Sequence, residues 1–379
     1  MRFLGAGGKM GFGRPIFETF HVGGNFKSVN YEDQVGFVDA NRIAKWNGTA
    51  WSALGTGMNN PVNALAIDSS GNLYAGGGAF TTAGGVTVNR IAKWNGTAWS
   101  ALGSGMNNSV FALVFDSSGN LYAGGTFTTA NGVTANRIAK WNGTQWSALG
   151  TGTNSTVWAL AVDSSGNLYA GGDFTTANGV AINRIAKWNG TQWSALGTGM
   201  NSSVRALAFD SSGNLYAGGN FTTANGVTAN RIAKWNGTQW SALGSGVNSG
   251  VNALAFDSSG NLYAGGWFTT AGGVTVNRIA KWNGTQWSAL GSGVNSGVNA
   301  LAFDSSGTLY AGGFFSNYIA KWNGTQWSDV GSGASSFVFA LVFDSSGNLY
   351  AGGNFTILWN KIYLRFASLL KDVLSEEPQ

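Results

Sequence analysis

The string NRIAKWNGTQWSALGSG at residues 230–246 returns almost letter for letter at 277–293, and looser copies begin at 41, 89, 136 and 183. Its Ala-Lys-Trp centre recurs at Trp46, Trp94, Trp141, Trp188, Trp235, Trp282 and Trp322, at spacings of 48, then 47 four times, then 40. A period of about 40–50 residues restricts the chain to propeller blades or a helical solenoid. It also overrides the two or three domains that 379 residues would otherwise suggest, because repeats can close into one unit.

Local chemistry decides between the two. The segments are short, β-branched and aromatic, with Gly or Asn-Gly turns every 8–12 residues, and nothing inside the repeat holds a 3.6-residue period. One unit reads as four strands: 204–210, then 214–219 after a DSSGN turn, then 231–235, then 238–244 after Asn236-Gly237. Residues 220–230 read as a connecting loop. Four antiparallel strands per unit make a propeller blade. Blades pack on both faces, which suits the alternation of Leu207 and Phe209 with Ala206 and Ala208, and makes Trp235 and Trp240 inter-blade filling. The 60 Gly against 3 Pro, with 44% hydrophobic residues, read as turn punctuation rather than disorder.

The stretch ALAFDSSGNLYAGG resembles the first two strands of bacterial repeat propellers of the NHL and kelch-like kinds, the Gly-Gly ending being kelch-like. IAKWNGTxWSALGSG resembles repeats in bacterial surface proteins and in a fungal cortical polarity marker. The resemblance covers about residues 21–355 and implies a fold, with an extracellular or cell-surface setting. It leaves the chemistry open, because propellers host many functions.

First strands number seven, at 63–68, 111–116, 158–163, 205–210, 252–257, 299–304 and 339–344. The fold expected is an all-β propeller of seven four-stranded blades over residues 1–355, with 338–353 beside 42–55 in one shared closing blade. An eight-bladed alternative takes HVGG (21–24) as a further second strand, with KMGF, ILWN and IYLRF as worn strands. Residues 356–379 leave the repeat, and Ile362, Phe366, Leu369, Leu370, Val373 and Leu374 predict a helical tail.

The near-copies can be compared with one another. DSSGN and WNGT hardly change. The second residue of the first strand reads Asn63, Phe111, Trp158, Arg205, Asn252, Asn299 and Phe339; the residue after Gly-Gly reads Thr126, Asp173, Asn220, Trp267, Phe314 and Asn354. The segment before the first strand drifts as well. In a four-stranded blade these places share one end, so the variation gathers on one face at the channel mouth. A constant scaffold with a varied face is how binding sites are commonly built. Expected ligand-binding residues are Trp158 and Trp267 as stacking platforms, Phe111, Phe314 and Phe339 as apolar contacts, and Arg205 and Asp173 as orienting polar groups. Glycan, peptide or protein partners all fit. The alternative is a scaffold made by recent blade amplification, its varied face produced by drift.

The remaining chemistry is sparse. The repeated motifs carry +6 and the rest of the chain −1, so the net charge of +5 is spread rather than gathered into a nucleic-acid patch. There is no Cys, and His21 is the sole histidine, so thiolate and imidazole catalysis find no partners. Each DSSGN turn has one carboxylate, short of a calcium loop, and no paired carboxylates suggest glycoside hydrolysis. The expectation is a non-enzymatic monomer without cofactor or metal. The N-terminal residues show no continuous apolar segment of a signal peptide, and no apolar run spans a membrane.

Overall fold

In a computed structural model that describes residues 34–362, every helix or strand assigned is a strand. Seven four-stranded antiparallel sheets repeat one order, from first to fourth strand. Blade 1 comprises Val62–Ile67, Leu73–Gly77, Ile91–Trp94 and Trp99–Ala101. Blades 2 to 6 begin with Val110–Phe115, Val157–Val162, Val204–Phe209, Val251–Phe256 and Val298–Phe303. Blade 7 takes Val338–Phe343 and Leu349–Gly353 from the far end of the chain, and Ile43–Trp46 and Trp51–Ala53 from the near end. Ile43 pairs with Gly352 and Trp46 with Leu349. The first strands pack side by side around the axis, and that of blade 7 meets that of blade 1. The architecture is a seven-bladed β-propeller with a shared closing blade, as the seven first strands predict.

A second pairing reinforces the closure. Gln34–Asp39 runs antiparallel to Ile357–Ile362, from Gln34 opposite Ile362 to Asp39 opposite Ile357. Asn360 ties this ribbon to the shared blade, accepting the Trp51 backbone N–H at 2.6 Å. Residues 357–362 are thus strand, where the sequence predicts the start of a helical tail. Backbone pairing with a partner more than 300 residues away prevails there over the local pattern. The rest of that tail, His21 and the HVGG segment lie outside the described residues.

The constant turns are held by their own side chains. In the first hairpin turn Asp68 Oδ1 accepts the backbone N–H groups of Ser70 and Asn72 at 3.0 and 2.9 Å. In the WNGT turn Asn47 Oδ1 accepts from the N–H groups of Thr49 and Ala50. The two-residue turn with consecutive positive φ occurs elsewhere, at Asn225 (48°) and Gly226 (78°), between Thr223–Ala224 and Val227–Thr228. Residues 220–230 are therefore a small hairpin rather than the loop expected from sequence. Blades 1, 2, 3 and 5 carry the same feature.

The core is a series of slabs between blades. Ile43, Tyr350 and Val342 of blade 7, for example, pack with Leu73, Ala75 and Trp99 of blade 1. The Gly-Gly pairs follow from this close approach. A methyl group at Gly124 would lie 2.6 Å from Val157 Cγ1 of the next blade, and one at Gly125 would strike the carbonyl of Ser109. Each fourth-strand Trp donates its indole N–H to the preceding blade, as Trp99 does to Leu54 O at 2.9 Å and Trp240 to Leu196 O at 3.0 Å. Trp51 makes the same bond to Val330 O at 3.3 Å, so the ring of indole bonds runs through the shared blade.

Candidate functional site

The variable second residue of each first strand sits in a β-bulge. Register shifts between Val110 and Ala112, and between Val157 and Ala159, leave Phe111 and Trp158 without a partner in the ladder, and the other five blades repeat this. A bulge re-aims its side chain while the flanking residues keep their pairing. All seven bulge residues consequently line one cavity of about 450 Å³ at the channel mouth, joined by Asn220, Trp267 and Phe314 from the position after Gly-Gly.

Of the seven site residues expected from sequence, six line this cavity: Phe111, Trp158, Arg205, Trp267, Phe314 and Phe339. They form two groups. On blades 2 to 4, Phe111 stacks on Trp158 at 4.4 Å between ring centroids, and the Arg205 guanidinium lies 4.1 Å from the Trp158 ring centroid. On blades 5 to 7, Trp267 lies 5.3 Å from Phe314, and Phe314 lies 4.5 Å from Phe337 and 6.0 Å from Phe339.

Two of the expected residues make contacts with their neighbours. Trp158 is engaged by Phe111 and by Arg205, so it is a member of a stack rather than an open platform. Asp173 does not line the cavity. Its carboxylate accepts the Trp158 indole N–H at 2.7 Å and the Ser203 hydroxyl, and its backbone carbonyl accepts from Arg184. Asp173 thus holds the Trp158 indole from outside the cavity lining. Trp267 is 43% exposed and rests against the backbone of Gly297, where a methyl group would lie 2.7 Å from the ring.

Four lining residues were not among the expected contacts: Asn63, Asn220, Asn252 and Asn299. Their signal was their place in the variable columns, where aromatic replacements draw the eye first. Asn252 donates to Asn299 Oδ1 at 3.0 Å between neighbouring blades. The lining holds no Asp, Glu, His or Cys, and Arg205, whose Nε is buried without a partner, is its one charged side chain. Among the described residues no group of three or more His, Cys, Asp or Glu converges as a metal site would.

The opposite face is constant. There Tyr122 and its equivalents sit against the turn carboxylates, with Tyr122 Oη 3.3 Å from Asp116 Oδ2. Burial, and secondarily the Asp116 charge, pushes the Tyr122 hydroxyl up to about 12, and Tyr216, Tyr263, Tyr310 and Tyr350 move alike.

This geometry can be set beside known proteins. A family model described as the Rax2 C-terminal beta propeller domain matches residues 135–243, and one described as the DUF5122 beta-propeller domain of unknown function matches 117–142 and 258–283. The chain is a repeat β-propeller. Solved propellers share its fold at low identity. The extracellular domain of a one-component-system candidate from B. thetaiotaomicron aligns at TM-score 0.58 and 16% identity over 82% of this chain. That of a hybrid two-component-system candidate from the same organism aligns at 0.58 and 14% over 83%. The propeller spans only 39% and 40% of those two chains. The WD40 beta propeller domain of Doa1 aligns at 0.57 and 15%, covering 85% of this propeller and 97% of that chain. No curated protein matches the propeller in sequence.

Proposed function

We propose that the propeller is a binding module that takes a neutral glycan at its channel mouth. One observation carries the reading: the mouth joins aromatic surfaces to four amide side chains, with no carboxylate and a single cation. The C–H faces of sugar rings suit aromatic surfaces, and Trp267 offers the most exposed one. Each sugar hydroxyl both donates and accepts, as an Asn amide does through its two ends. A peptide carries charged termini and side chains, for which this mouth provides only Arg205. The bulges hold Asn63, Asn252 and Asn299 on paired strands, and Trp267 directly follows one, a rigid presentation suited to recognition.

A glycan array probed with the wild type and with Trp267→Ala tests the reading, with a peptide array alongside. A glycan hit lost in the variant is the expected result. Peptide hits alone would replace the ligand class. Silence on both arrays would favour a scaffold role, the reading otherwise supported by the near-identity of the blades on the constant face.

A further inference from the structure

Blades 1 to 5 each carry a hairpin between second and third strands. In blade 7 the ribbon of Gln34–Asp39 and Ile357–Ile362 follows the second strand at the same place. Blade 6 has neither. Its chain passes from Gly313 to Ile319 through residues 314–318, where blade 5 uses residues 267–278 between Gly266 and Ile279. The shortfall is the drop from 47 to 40 in the repeat spacing.

The missing hairpin leaves a notch in the rim, a cavity of about 550 Å³ whose lining includes Asn295, Ser296, Tyr318 and Trp359. Phe314 lines both this notch and the mouth. Tyr318 stands where blade 5 has Arg278 and keeps the same left-handed backbone, at φ 60° against 73°. Arg278 donates to the carbonyl of Trp267, and Arg184 to that of Asp173, whereas at this place blade 6 carries a phenol in place of the guanidinium. The notch therefore combines amide and hydroxyl groups with the rings of Tyr318 and Trp359.

We propose that this notch is a second sugar subsite continuous with the mouth, so that the ligand is an oligosaccharide chain lying across Phe314 rather than a single sugar. The inference rests on the glycan reading of the mouth and adds length and direction to it: the chain leaves the axis through blade 6. The same alternation of aromatic faces with neutral polar groups on both sides of Phe314 is what a repeating neutral chain requires.

The test is calorimetric titration with cellohexaose, xylohexaose, chitohexaose and maltohexaose and with the disaccharide of each linkage. The full chain is compared with Trp359→Ala, with Trp267→Ala, and with a variant in which residues 222–231 replace residues 316–318 to restore the hairpin. The expected result is a hexasaccharide bound about tenfold more tightly than its disaccharide, a gain absent in Trp359→Ala and in the restored variant. Unchanged disaccharide affinity in those two variants shows that they fold, and Trp267→Ala loses both ligands. Disaccharide binding with no gain in length, or a gain that survives both notch variants, overturns the notch subsite and leaves the mouth reading in place. Absence of binding by every sugar overturns both.

Discussion

The carboxylate of Asp173 accepts the indole N–H of Trp158 at 2.7 Å, and thereby sets the plane on which Phe111 stacks and over which Arg205 lies. Three neighbouring blades meet in this arrangement. Asp173→Ala removes the acceptor and leaves the indole N–H without its partner. The expected loss is about 1–2 kcal/mol, with a change in near-ultraviolet dichroism from the freed ring. Asp173→Asn keeps an oxygen in place and is expected to recover most of the signal. Equal denaturation midpoints for wild type and Asp173→Ala would mean that the bond orders nothing.

The two tryptophans of the mouth separate by environment. Trp267→Ala removes an exposed ring and is expected to change stability by no more than about 0.5 kcal/mol while abolishing glycan binding. Trp158→Ala dismantles a stack and a cation–π contact, at about 1–2 kcal/mol. Chemical denaturation of both proteins measures the contrast. A larger loss in Trp267→Ala would reverse the assignment of platform and stack.

The first glycine of each second-strand pair is set by the neighbouring blade rather than by backbone angle. Gly124→Ala places a methyl group 2.6 Å from Val157 Cγ1 and is expected to cost about 1–3 kcal/mol. Gly78→Ala is the comparison, because the nearest atom to its new methyl is 3.7 Å away. Its thermal midpoint is expected to stay within a degree or two of the wild type. Matching losses in the two variants would remove close approach as the cause.

Alkaline stability follows from the constant face. Burial raises the hydroxyls of Tyr122, Tyr216, Tyr263, Tyr310 and Tyr350 from 10.0 to about 12. Between those values the unfolded chain releases protons that the folded propeller retains, so stability falls as pH rises. It is fully present below pH 10 and lost progressively toward pH 12. Urea midpoints measured from pH 8 to pH 12 are expected to be flat at first and then to decline. A flat profile throughout would show that these hydroxyls ionise alike in both states.

Turn chemistry made most of the fold legible. The DSSGN and WNGT turns bond within a few residues, as Asp68 and Asn47 show, so their identity fixes the hairpins locally. Seven first strands fixed the blade number, and their phase against the third strands fixed the shared blade. The hairpin at 223–228 escaped because its strands are only two residues long, too short to show alternation. The strand at 357–362 was legible only in the eight-bladed alternative, and its pairing escaped because its partner begins at Gln34. At the mouth, comparison of near-copies found the positions that converge. It could not tell that Trp158 is covered or that Asp173 turns toward it, since both depend on contacts made through space between adjacent strands and blades.

The shared blade also sets an order of events in the life of the chain. Its outer hairpin, Ile43–Trp46 and Trp51–Ala53, leaves the ribosome before the other six blades, yet the strand that Ile43–Trp46 pairs with ends only at Gly353. Six blades can assemble while one edge of Ile43–Trp46 waits for its partner, and during that wait the growing molecule is an open arc with two sticky edges. A second nascent chain in the same condition offers the same partner. Dilute or chaperoned synthesis therefore favours the ring, and crowded synthesis favours one arc passing its strands to the next.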